Sequence, residues 1–185
     1  FNTREQQKNG VSVRSVLVIL FLLPIVAKSF TLPSFATNRV LSVLAMNTRL
    51  PGPRELEQEI RYSGNVQAIM HFCQKRAPDM EPHHVVCCWV KISDLLRYYG
   101  EVKKIQDDPR LLKPLLKVTV EKYAYMNPRK LATTAHRIAK VSLRTGVITK
   151  ESPMWGLLEK EAIRMTDFSP IEISNVVWAF AKIRR

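Results

Sequence analysis

The sequence predicts an all-α fold, an α-solenoid of stacked helix-turn-helix repeats, and three observations carry that prediction. A proline opens an apolar-periodic stretch three times, in Met80-Glu81-Pro82, Met126-Asn127-Pro128 and Phe168-Ser169-Pro170. Downstream of each proline, apolar or small residues recur at offsets 3, 6, 7, 10, 11 and 13, one face of a 3.6-residue helix where a strand would alternate. The prolines lie 46 and 42 residues apart, long for one amphipathic helix and right for a helix pair. Such pairs cannot bury both faces alone, so they stack, and about three are the minimum.

Each element follows from this register. The stripe reads Val85, Cys88, Trp89, Ile92, Ser93 and Leu95 in the first copy, then Leu131, Thr134, Ala135, Ile138, Ala139 and Val141. In the third copy it reads Ile173, Val176, Val177, Phe180, Ala181 and Ile183. Proline suits the first helical position because its missing N–H has no intrahelical partner there. The preceding residue is then the N-cap; Asn127 and Ser169 are good caps, and Ser169-Pro-Ile-Glu172 reads as a capping box. A partner helix precedes each proline, with Met70, Leu116 or Leu158 at −12, Gln74, Val120 or Ala162 at −8, and Ala77, Tyr123 or Met165 at −5. The expected units are 65–99, 109–145 and 153–184, with a short leading helix from Glu55 to Tyr62 and a polar charged link from Gly100 to Pro109 that carries Asp107 and Asp108.

The first 54 residues have a different character. Residues 1–29 read as a signal peptide: Arg4, Lys8 and Arg14 precede the apolar run Val16 to Val26, and Ala27-Lys28-Ser29 follows it. The run is short of the roughly 20 apolar residues of a spanning helix and contains Pro24, so the mature chain is expected to have no stable membrane insertion. Residues 30–54 are rich in hydroxyl side chains and Arg, and no Asp or Glu occurs between Glu5 and Glu55, the composition of a disordered transit-peptide-like segment. The junction Ala27-Lys28-Ser29-Phe30-Thr31-Leu32-Pro33 resembles the bipartite presequence of algae with secondary plastids. That resemblance implies a plastid (chloroplast stroma) location, with mitochondrion and secretion as the rivals. Three cysteines, which cannot all pair, and the lack of an Asn-x-Ser/Thr acceptor speak against secretion. The repeat domain is expected to span 55–185. A first residue that is Phe rather than Met predicts a fragment, with room for further repeats or another domain after Arg185.

The 185 residues carry 29 Lys or Arg against 16 Asp or Glu. Without Arg4, Lys8, Arg14, Lys28 and Glu5 of the leader, 25 basic and 15 acidic residues remain, a net of +10. The repeat domain is basic in its own right, which fits a polyanionic partner.

Enzymatic signatures are missing from the sequence. The six glycines are scattered rather than gathered into a phosphate loop, and no Gly-x-Ser-x-Gly or paired-carboxylate arrangement occurs. His71, Cys73, His83, His84, Cys87 and Cys88 are ligand types without the tight paired spacing of zinc sites, and Cys88 aligns with core positions. No metal and no cofactor is therefore expected.

The third copy, from Phe168 and Pro170 through Ile173-Ser174-Asn175 to Trp178-Ala179-Phe180-Ala181-Lys182-Ile183, resembles the second helix of the octotricopeptide repeat (OPR) family. Trp155, Leu157 and Leu158 suit that family's first helix. The second copy keeps Pro128, Leu131, Ala132 and Ile138-Ala139-Lys140-Val141, with His136 where Trp178 stands, and the first keeps Pro82, Val85 and Ile92 with Trp89 one position early. The resemblance covers about residues 65–185. It implies sequence-selective binding of single-stranded organellar RNA in post-transcriptional gene expression, with other RNA-processing proteins as further partners. The alternative is a protein-binding scaffold of the same architecture.

Cations along a solenoid groove give salt-sensitive affinity for RNA, and polar side chains read base edges. Polar and basic residues off the core stripe are Arg129, Lys130, Thr133, Arg137, Lys140 and Arg144 in the second copy, His83, His84 and Lys91 in the first, and Ser174 and Asn175 in the third. These are the candidate RNA-binding residues. Asn175 is competent either to bond a base edge or to tie neighbouring helices together.

Overall fold

A computed structural model describes residues 52–183; the expectations for residues 1–29 and 30–51 lie outside them. The described residues form eight α-helices and no strand. They are α1 (Pro53–Tyr62), α2 (Val66–Arg76), α3 (Pro82–Leu95), α4 (Tyr99–Asp107), α5 (Lys113–Lys122), α6 (Pro128–Thr145), α7 (Pro153–Arg164) and α8 (Pro170–Ile183). Among the described residues no helix is long and apolar enough to cross a membrane.

The helices lie in two rows. One row runs α1, α3, α6, α8, each packed on the next, and the other runs α2, α5, α7. Contacts of α2 and α5 with α3, and of α7 with α6, join the rows. Among the three helices of the repeated register, α6 therefore packs on both α3 and α8.

Local chemistry sets the helix starts. Asn127 caps α6 by accepting the Lys130 N–H at 3.0 Å, and Pro128 occupies the first turn without wasting a donor. Ser169 and Glu172 form the reciprocal box at the head of α8: the Ser169 N–H donates to Glu172 Oε2 at 2.8 Å and the Glu172 N–H to Ser169 Oγ at 3.4 Å. At the head of α3, His84 takes the part Glu plays there, its Nδ1 accepting the Glu81 N–H at 3.0 Å. Helix α6 ends at Gly146, whose φ of 72° is left-handed and whose N–H donates to Ser142 O at 2.7 Å.

The stripe is buried at all six offsets in α3 and in α6. Trp89 has no exposed surface, and its Nε1–H donates to Thr119 Oγ1 at 2.9 Å; that hydroxyl in turn donates to Leu115 O at 2.7 Å. A large aromatic is thus buried with its one polar atom satisfied.

Two expectations need correction. The segment after Gly100 is helical, not an open link: α4 places Ile105 in the core and Val102 against it, and the Glu101 carboxylate accepts the Val66 N–H at 2.8 Å. In the first helices of the first two pairs, offset −8 is not the core position, since Gln74 and Val120 are exposed, whereas Ala162 of the third is half-buried against the core. Offset −9 is, and Cys73, Thr119 and Glu161 are all buried there. A thiol, a hydroxyl and a carboxylate hide that register from any search for apolar residues.

Candidate nucleic-acid interface

In α3 and α6, residues at offsets 1, 5, 8, 12 and 15 from the opening proline lie opposite the buried stripe. On α6 they are Arg129, Thr133, His136, Lys140 and Leu143, and none is buried. On α3 and just beyond it they are His83, Cys87, Val90, Asp94 and Arg97, again none buried; α8 divides differently, with the stripe residues Ile173 and Val177 exposed and Asn175, Trp178 and Lys182 half-buried. Helix α6 packs against both α3 and α8. Along α6 the stripe from Arg129 to Arg144 is about 22 Å long at 1.5 Å per residue.

Helix α6 dominates the charge of this surface. It carries Arg129, Lys130, Arg137, Lys140 and Arg144 and no acidic residue. Arg129 and Lys130 stand in its first turn, where free N–H groups already make the end positive and cations cost about 0.3–1 kcal/mol each. The arrangement costs stability and concentrates positive potential. The Thr133 hydroxyl is half-buried and donates back to Arg129 O at 2.8 Å.

Arg137, Lys140 and Arg144 converge with Ser93, Asp94 and Arg97 of the α3 end and with Trp178 of α8 on one groove of about 320 Å³. Arg137 reaches across to α3, with Nη1 donating to Ser93 Oγ at 3.3 Å and lying 3.5 Å from Asp94 Oδ1. The His136 ring stands edge-on to Trp178, with centroids 4.7 Å apart and planes at 77°. Burial first, then Lys140 and Arg137, push the His136 imidazole below its ordinary value. His83, at the other end of the surface, is likewise pushed down, by burial and by the His84 ring 3.7 Å away, against the pull of Glu81, and Lys130 adds to the lowering.

Not every candidate faces this surface. His84 is fully buried, and its Nε2–H donates to Pro53 O at 3.0 Å while Nδ1 is taken by Glu81. With Nε2 tying α1 to α3 and Nδ1 capping the start of its own helix, His84 leaves the RNA-binding set. Lys91 points toward α1, where its Nζ donates to Arg61 O at 2.7 Å and so caps that helix's C-terminus. Ser174 is exposed on α8, its hydroxyl donating back to Pro170 O at 2.9 Å.

Asp94, Arg97, His136 and Trp178 were not among the sequence candidates. The signal was present for Trp178: Trp89 stands at offset 7, in the core, whereas Trp178 stands at offset 8, turned about 100° toward the groove. The ligand types noted earlier do not assemble: His71 is exposed, and Cys73 and Cys88 are buried with their sulfurs 3.8 Å apart. Contact with Cys73 first, then burial, pushes the Cys88 thiol well above its ordinary range. Among the described residues no group of three His, Cys, Asp or Glu could hold a metal ion.

Comparison with known proteins returns no family model, no curated protein and no solved structure that matches this chain.

Proposed function

We propose that this chain is an α-solenoid of OPR-like helix pairs that binds single-stranded RNA across α3, α6 and α8, acting in plastid post-transcriptional gene expression. The observation that carries the reading is the acid-free cationic face of α6, which meets Arg97 and Trp178 at one groove. Cations there displace counterions from phosphates, and an aromatic gives bases a stacking partner. The reading assigns binding and not catalysis, and it needs neither metal nor cofactor.

The test replaces Arg129, Lys140 and Arg144 together by Ala. Arg137 is left in place because it also braces α3. Affinity for a single-stranded oligoribonucleotide, read by fluorescence anisotropy, should fall, and the slope of log K against log salt should lose about 0.7 per phosphate contact removed. Unchanged affinity with unchanged helical circular dichroism would remove this face from consideration.

A protein-binding scaffold is the second reading. It is favoured by an apolar groove of about 470 Å³ between α7 and α8, lined by Ala162, Ile163, Val177 and Phe180. Binding there would be nearly insensitive to salt.

A further inference from the structure

We infer that the groove between the end of α3, the C-terminal half of α6 and Trp178 is a subsite for one nucleobase, and that it takes an amino-bearing base in preference to uracil. The inference rests on the RNA-binding reading and names the chemistry of one position within it.

Three kinds of group meet in this groove. Trp178 is half-buried, and the His136 ring stands edge-on to its indole. A partly exposed aromatic is a stacking platform. Arg97 and Arg144 are exposed and Lys140 is half-buried, cations that suit flanking phosphates. Asp94 is the anomaly. On a surface for a polyanion a carboxylate is repulsive, yet this one lines the groove with its side chain 48 % exposed.

Asp94 is not consumed by its ion pair. Only Oδ1 approaches Arg137, at a long 3.5 Å, and a half-exposed pair of this kind is worth about 0–1 kcal/mol. The carboxylate lines the groove with about half of its side chain in water, open to a further N–H donor. A carboxylate accepts from N–H groups and cannot accept from a carbonyl, so it favours the exocyclic amines of cytosine, adenine and guanine. Uracil offers carbonyl oxygens on either side of its single N–H. Guanine, with an N1–H beside its amine, gives two parallel donors to one carboxylate. The groove volume of about 320 Å³ is at the small end for ligand sites, suited to a single base and not to a stacked pair.

The experiment measures binding of the full chain at low salt to oligo(U) and to the same oligomer with one central G, A or C. Wild type should bind the G-containing oligomer several-fold more tightly than oligo(U). Asp94→Ala should abolish that preference and at the same time strengthen oligo(U) binding, because a repulsive charge is gone. A purely structural loss would weaken both oligomers, which would overturn the assignment. Trp178→Ala should weaken all oligomers about tenfold or more, and Trp178→Phe should recover most of it. Should wild type bind all four oligomers equally, the base subsite is wrong and the RNA-binding reading stands. Should it bind none, both fall.

Discussion

Helices α6 and α8 carry the same stripe and bury it very differently. In α6, Leu131, Thr134, Ala135, Ile138, Ala139 and Val141 are all buried, because α3 covers one side and α8 the other. In α8, which has α6 as its neighbour in the row, Ile183 is the one buried stripe residue among those described, while Ile173 is 50 % and Val177 60 % exposed. The pattern alone therefore does not create a core. Burial comes from having a neighbour on each side, and the energy of a repeat belongs largely to its interfaces.

The difference can be broken most forcefully at equivalent stripe positions. Leu131→Ala should cost about 2–5 kcal/mol of unfolding free energy in urea titrations, from lost transfer energy plus a cavity. Ile173→Ala, at the same offset, should cost less than about 1 kcal/mol because half of that side chain is already in water. Equal losses at the two sites would contradict the neighbour argument. The two tryptophans sharpen it further. Trp89→Phe removes a fully buried indole and its bond to Thr119, for about 1–3 kcal/mol, whereas Trp178→Phe should change the urea midpoint little.

Caps supply an internal control, since capping is local and does not depend on neighbours. Asn127→Ala on α6 and Ser169→Ala on α8 should each cost about 1 kcal/mol. The smallest effect concerns pH. Burial, then Lys140 and Arg137, hold the folded His136 below its ordinary 6.5, so the unfolded chain takes up a proton first as pH falls. Stability is then full above pH 6.5 and declines from there down to the depressed folded value. His83 acts with the same sign. His136→Gln should flatten part of this slope between pH 7.5 and 5.5, read from urea midpoints.

The helical class, the caps of α6 and α8 and the stripe offsets of α3 and α6 could be read from the residues because proline, Asn127 and Ser169 act through local geometry. Other features resist such reading for physical reasons. The −9 row escaped because Cys73, Thr119 and Glu161 do not look apolar, although a thiol contact, a hydroxyl bond and an Arg164 ion pair at 2.5 Å let each be buried. Helix α4 was hidden by its polar exposed face, with Ile105 and Val102 the few residues that anchor it.

At the candidate interface, the charges of α6 were plain in the sequence, but their orientation was not. His84 and Lys91 are spent on α1, a partner remote in sequence, and only the packing reveals it. Asp94 and Trp178 entered the site for the converse reason: a carboxylate and a motif tryptophan gain meaning only when α3, α6 and α8 are brought side by side.

Ultraviolet crosslinking of a single-stranded oligoribonucleotide to the full chain, with the adducts mapped to peptides by mass spectrometry, tests the central claim most directly. The adducts should fall on α6, on the α3 end around Arg97 and on Trp178 of α8. Adducts confined to α2, α5 and α7, the opposite row, would contradict it.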